Sequence, residues 1–293
     1  MEFYQIYKPL TATPFKKDET YIEIEPCDAL KPYIRCFWGT EKPIIQPKSD
    51  RAVSSIVTPD TCMDIMFDID YTDNKLKNNF SGINNSSFQI CSQPGTEKRI
   101  SKFAIRFYAW AVILFSEESM VDAKNMYCDV GYYFSKLKKL LENRLFDTDS
   151  LTQRKAIAEN YLLENYHPER INHIVTDALF EIFLNKGNIK TLQLAREVHI
   201  SSRQLERLFK ENIGISPKQL SSIIRYQYLW NDIVKCRKFD VLHALSKYHY
   251  TDQSHLLHDF KRFHSMSIQE AKNLALKDVA FLQENENGIK YNI

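Results

Sequence analysis

Arg203, Glu206, Arg207 and Lys210 stand three, one and three residues apart in the stretch ISSRQLERLFKEN. On a helix they share one face, while Leu205, Leu208 and Phe209 share the opposite stripe and face a core. The polar face has the chemistry of base readout. The guanidinium of Arg203 or Arg207 can bond guanine O6 and N7 bidentately, and the Glu206 carboxylate can accept from a cytosine amino group. A second set follows in TDQSHLLHDFKRF, where Leu256, Leu257 and Phe260 are the inward candidates and Gln253, Ser254, His255, His258 and Lys261 lie outside. Gln253 can pair with adenine, and Ser254, His255 and His258 complete the base-contact candidates. Lys210 and Lys261 suit phosphates, which position a protein without reading sequence. The plainer alternative for either face is a solvated helix surface.

Other chemistry finds less support. His255 and His258 are three apart, yet no cysteine or carboxylate constellation completes the four-ligand geometry of a zinc site, so no metal is expected. Asp60, Asp64, Asp68 and Asp70 cluster in one segment, but unpaired surface acids are the ordinary reading of such a cluster. The chain lacks a GxSxG elbow, a P-loop, HExxH and GxGxxG, and it has seven glycines in all. Neither an enzyme nor a cofactor is expected.

The elements that must hold the two polar faces are marked by helix-start signals. Ser201 with Gln204, Ser216 with Gln219, and Ser267 with Glu270 each fit the capping box. Pro217 occupies a first helical position, where its missing N–H costs nothing. The spacing predicts helices over Ile171–Asn185, Leu192–Val198, Ser202–Asn212, Pro217–Lys235, Val241–Tyr248, Gln253–Phe263 and Ile268–Leu276. Within this set the chain repeats itself. His199 and His249 are offset by 50, while Leu205/Leu256, Phe209/Phe260, Lys210/Lys261 and Ser216/Ser267 are offset by 51. Each copy is a short helix, a tight turn and a longer helix, the arrangement that places its second helix in a major groove.

The chain has 293 residues, 44% hydrophobic and 26% charged, with a mean hydropathy of -0.40. That suits a globular protein of about two domains. No apolar run approaches the ~20 residues of a membrane span, and the start MEFYQIYKPL lacks a signal-peptide pattern. Cys27, Cys36, Cys62, Cys91, Cys128 and Cys236 are widely scattered and read as reduced thiols of a cytoplasmic protein. The net charge of +2 hides an asymmetry: residues 1–168 carry 21 basic and 23 acidic side chains, residues 169–277 carry 17 and 11. All eight histidines lie at or beyond His167. The basic segment is where an anionic partner would bind.

Residues Ile171 to Ala275, above all LAREVHISSRQLERLFKENIGISP and DQSHLLHDFKRF, resemble the AraC/XylS transcription regulators of bacteria. The resemblance implies two helix-turn-helix units joined by one long helix, with promoter DNA as partner and RNA polymerase as a second partner of an activator. The second copy departs from the usual pattern. His249-Tyr250 stands where a Gly-Phe pair is common, Ser265 where Gly is usual, and Ile268 where Pro is usual. The stretches CDALKPYIRCFW and VTPDTCMDIMFDI, with IRFYAWAVILF, are similar to a β-rich sensor domain that accompanies some such regulators.

From Tyr21 to Phe115 the runs YIEIE, YIRCFW, AVSSIVT, CMDIMFDID and FAIRFYAWAVILF read as strands, separated by turns such as EKPIIQPKSD, YTDNKLKNN and SQPGTEKR. The expected fold is α+β: a mostly antiparallel barrel or sandwich over 1–118, a helical connector over 119–168, an all-α double helix-turn-helix over 169–277 and a polar tail over 278–293. The connector is a possible homodimer element, although apolar residues at helical spacing are more often intramolecular core. The first region is expected to receive a signal, a small molecule in the leading reading and a regulatory protein in the alternative. Trp38 and Trp110 are the candidate effector contacts. A DNA-modifying enzyme with a helix-turn-helix guide is the remaining reading.

Overall fold

The computed structural model describes residues 3–10, 21–48, 53–92, 95–236 and 239–283. A short helix, α1 (Phe3–Ile6), precedes strands β1 (Ile22–Ile24), β2 (Ile34–Gly39), β3 (Ile44–Gln46), β4 (Val53–Val57), β5 (Cys62–Asp70), β6 (Lys75–Ser81), β7 (Phe88–Ser92), β8 (Lys98–Tyr108) and β9 (Tyr127–Cys128). Seven of them form one antiparallel sheet in the order β1-β2-β8-β5-β6-β9, with β3 also on β8, while β4 and β7 pair separately. The sheet runs from edge to edge without closing, so the architecture is sandwich-like and the barrel alternative does not hold.

β5 shows why this sequence makes a sheet. Met63, Ile65, Phe67 and Ile69 alternate inward and are fully or almost fully buried, as period-two patterning requires. The intervening acids meet a basic strand. Asp64 is opposite Arg106 and Asp68 opposite Lys102 in the β5–β8 register, and Lys98 Nζ lies 2.6 Å from Asp70. The clustered carboxylates are thus cross-strand partners. Asp60 joins them through a buried ion pair with Arg106.

Three expectations fail locally. EKPIIQPKSD is not all turn, since its Ile44–Gln46 is β3, paired with Lys98–Ile100 of β8. YTDNKLKNN is a hairpin: its first residues turn through Asn74 at φ 49°, then β6 buries Phe80. The strand read through FAIRFYAWAVILF ends at Tyr108, after which backbone bonds from Ala109 to Thr61 and Ala111 to Tyr108 turn the chain.

The connector is helical only in part. Its helices are α2 (Ser135–Glu142) and α3 (Leu151–Glu164), whereas residues 119–134 form turns, β9 and a 3-10 turn. Leu137, Leu141, Leu151, Ala158 and Leu162 are buried within the chain, so the stripe considered for a dimer seam is intramolecular core. Then come α4 (His173–Leu184), α5 (Thr191–Glu197), α6 (Ser202–Ile213), α7 (Pro217–Lys235), α8 (Val241–Tyr248), α9 (Gln253–His264) and α10 (Ile268–Gln283). α10 extends past the expected end at Leu276, and residues 284–293 of the expected tail lie outside the described residues.

Candidate nucleic-acid interface

The two helix-turn-helix units, α5–α6 and α8–α9, are built alike. Each turn contains a histidine in the left-handed region, His199 at φ 56° and His249 at φ 54°. Ser201 and Asp252 then cap the longer helices, accepting from the backbone N–H of Gln204 and His255. α6 ends on Gly214 at φ 87° and α9 on Ser265 at φ 60°. Both ends of α9 are offset from those of α6 by 51 residues, so outward positions correspond one to one. Only a residue tolerating positive φ closes such a helix end. Glycine does so freely at Gly214, while serine at 265 is strained.

α7 fixes the two units to each other. Its start has the full capping box, with Ser216 and Gln219 each accepting from the other's backbone N–H. The box at Ser267 and Glu270 is also complete, whereas among the described residues Ser201 supplies only the hydroxyl arm. Leu220, Ile223, Ile224 and Trp230 of α7 are buried. At the α4–α5 turn, Gly187 (φ 76°) lies so close to α7 that a Cβ there would stand 2.2 Å from the Ser221 carbonyl oxygen.

The predicted readout faces come out as follows. On α6, Leu205 and Phe209 are buried and Leu208 half-buried, while Arg203, Glu206, Arg207 and Lys210 are exposed. On α9, Gln253, Ser254, His255, His258 and Lys261 are exposed and Leu256 and Phe260 buried. Leu257 departs from its inward assignment and is 40% exposed, because it falls about 100° round the helix from Leu256. His255 is turned sideways: its Nε2 is 3.7 Å from Asp259, which also meets Arg225 at 3.1 Å and Arg262 at 3.3 Å. Among the described residues Arg207 has only a long ion-pair contact, to Glu211 at 4.0 Å on an exposed face, which leaves its guanidinium available.

The β-rich region is docked on both units. Gln227 of α7 accepts from the Leu10 N–H at 2.7 Å and donates to the Pro59 carbonyl at 3.1 Å. Met120 N–H donates to the Glu211 carbonyl at 2.9 Å, Ser87 N–H donates to that of Arg262 at 3.5 Å, and the Ser87 and Ser265 hydroxyls meet. The Tyr226 hydroxyl bonds His264 Nδ1 at 2.7 Å, and burial lowers the pKa of that imidazole to about 4. A cleft of about 720 Å³ opens between the regions, with Asn85 and Lys124 on one side and Glu206, Lys210, Lys218 and Arg262 on the other.

Neither tryptophan lines this cleft. Trp110 stacks on Tyr108 at 4.7 Å and meets Phe183 of α4 edge-on at 5.1 Å, within the seam between the regions. Its Nε1 has no hydrogen-bond partner among the described residues. Trp38 donates from Nε1 to Asp64 at 2.9 Å. Sequence reasoning missed Gln227, Ser87 and Met120. Only Gln227 leaves a sign, as a polar residue in the apolar stripe Ile223, Ile224 and Trp230.

Residues 194–273 match the family described as a helix-turn-helix domain, and residues 22–129 a domain of unknown function, DUF6597. Two capped helix-turn-helix units on one linker helix, behind a β-rich region, make up a double helix-turn-helix fold. No curated protein matches it. Among solved structures it is similar to a regulator with an AraC-type DNA-binding domain from Chromobacterium violaceum, at 19% identity over 35% of this chain and 92% of that one, TM-score 0.32. A probable AraC family regulator from Rhodopseudomonas palustris gives 21% identity over 36% and 98%, TM-score 0.32. ToxT from Vibrio cholerae gives 11% identity over 82% and 97%, TM-score 0.39. Among the described residues no helix is long and apolar enough to cross a membrane.

Proposed function

We propose that the chain is a sequence-specific transcription regulator whose β-rich region receives a small-molecule signal and biases DNA binding by α6 and α9. The observation that carries this reading is the docking of the β-rich region on both helix-turn-helix units, through Met120 on α6 and Ser87 at the end of α9. A ligand that favours one docked arrangement would change how the β-rich region lies against α6 and the end of α9, and so whether both helices are free to enter two successive grooves. The interdomain cleft, about 720 Å³, is within the roughly 300–1,000 Å³ of small-ligand sites. In this reading Arg203, Glu206, Arg207, Gln253, Ser254, His255 and His258 reach base edges, and Lys210 and Lys261 hold phosphates. Homodimerisation and contact with RNA polymerase are further expectations of the same reading.

The test is recovery of DNA bound to the tagged full chain in cells, then titration of an enriched duplex with wild type and Arg203→Ala/Arg207→Ala. A sharp site weakened by about thirtyfold or more in the double variant supports the reading, at ~1–3 kcal/mol for each of the two bidentate pairs. Diffuse binding that modest salt abolishes and the variant leaves unchanged is charge attraction alone. Repeating the titration with extracts separated by size distinguishes the signals. A change in affinity caused by the small-molecule fraction favours the proposed effector, and a change confined to the macromolecular fraction favours a protein partner.

A further inference from the structure

We infer that Leu257 reads a thymine methyl group in the second half-site, which makes it a specificity-determining residue. The inference rests on the proposal that α9 enters a major groove. Because α6 and α9 share both boundaries at an offset of 51, Arg203 corresponds to Ser254, Glu206 to Leu257, Arg207 to His258 and Lys210 to Lys261. All eight side chains are exposed. Leu257 is the one apolar group among them. The core of this unit does not require it, since Leu256, Phe260 and Phe263 of α9 are already buried to 1% exposure or less.

An exposed leucine is common on any protein surface, so exposure alone decides nothing. Position decides here. Leu257 occupies the place where the first unit presents a carboxylate, and the 5-methyl of thymine is the apolar feature that the major-groove edges display. Glu206, in the equivalent position, suits the cytosine amino group. The two units therefore read different bases from the same point of the same scaffold, and the preferred site is asymmetric.

The experiment selects duplexes from a random pool with full-length wild type, Leu257→Ala and Leu257→Glu, and circular dichroism checks that each variant is folded. Wild type is expected to select thymine at one position that Leu257→Ala leaves undetermined. Leu257→Glu, which copies the first unit, is expected to move that preference to cytosine. Replacing that thymine by deoxyuridine removes only the methyl and should weaken wild type about fourfold, while leaving Leu257→Ala unchanged. A wild type that selects no sequence overturns the DNA-reading proposal itself. A wild type that selects a site, with the same profile in both variants or with indifference to deoxyuridine, overturns the role of Leu257 and leaves that proposal standing.

Discussion

At the scale of single residues, the exposed and buried faces of α6 are legible because helical spacing separates Leu205 and Phe209 from Arg203, Glu206, Arg207 and Lys210. The structure keeps that separation. Apolar type alone points Leu257 inward, but one step of 100° per residue from Leu256 places it outside. Lys210 and Lys261 give a prediction of their own. Replacing either with alanine should weaken all duplexes about equally and reduce the magnitude of the salt-dependence slope by about one, as measured by titration across salt concentrations. His264 was not singled out by its sequence, since only the fold shows it buried with Tyr226 hydrogen-bonded to Nδ1. Its folded pKa, about 4, lies below the ordinary ~6.5 of the unfolded chain. The neutral ring is thus favoured by folding. Its contribution is complete above about pH 6.5 and is lost as pH falls through 4, about 3 kcal/mol between pH 7 and pH 4. Urea unfolding at both pH values should show wild type losing that much more stability than His264→Gln. Equal losses would show that this imidazole is not held neutral.

At the scale of elements, the helices of the second half from α4 to α9 match their expected bounds to within two residues, and α10 matches at its start, since caps and period 3.6 are local signals. Strands were less legible. The polar run KLKNN in β6 suggests a turn, and its strand character comes from pairing with β5 and burial of Phe80. Residues 119–134 are expected to be helical from local spacing, yet their form follows from nonlocal bonds such as Met120 to Glu211 and Asn125 to Ile83. In the proposed function, the element on which DNA binding most depends is α7. Ile224 is fully buried at its middle. Ile224→Pro should remove a helical hydrogen bond, break the linker at a cost of ~3 kcal/mol or more, and abolish binding to a two-groove site in a titration. Wild-type affinity in this variant would mean that α7 does not set the spacing of the two units.

At the scale of the whole molecule, sequence implied a signal-receiving half and a DNA-binding half but could not show how they meet. The docking depends on residues more than a hundred positions apart, such as Gln227 with Leu10 and Pro59. No local pattern records such pairs. Gln227→Leu leaves a backbone donor and acceptor unpaired in the seam, a cost of about 1–3 kcal/mol for each buried group. Hydrogen exchange should then show faster opening at Leu10, with α6 and α9 protected as before. The central claim is that the two units read two successive grooves from one scaffold. It is tested most directly by selecting duplexes from a random pool with full-length wild type and with Arg203→Ala/Arg207→Ala. Two informative blocks should emerge, centred about one helical turn apart, roughly 34 Å, with the double variant losing one block and keeping the other. A single block, or two blocks that the double variant leaves intact, would contradict it.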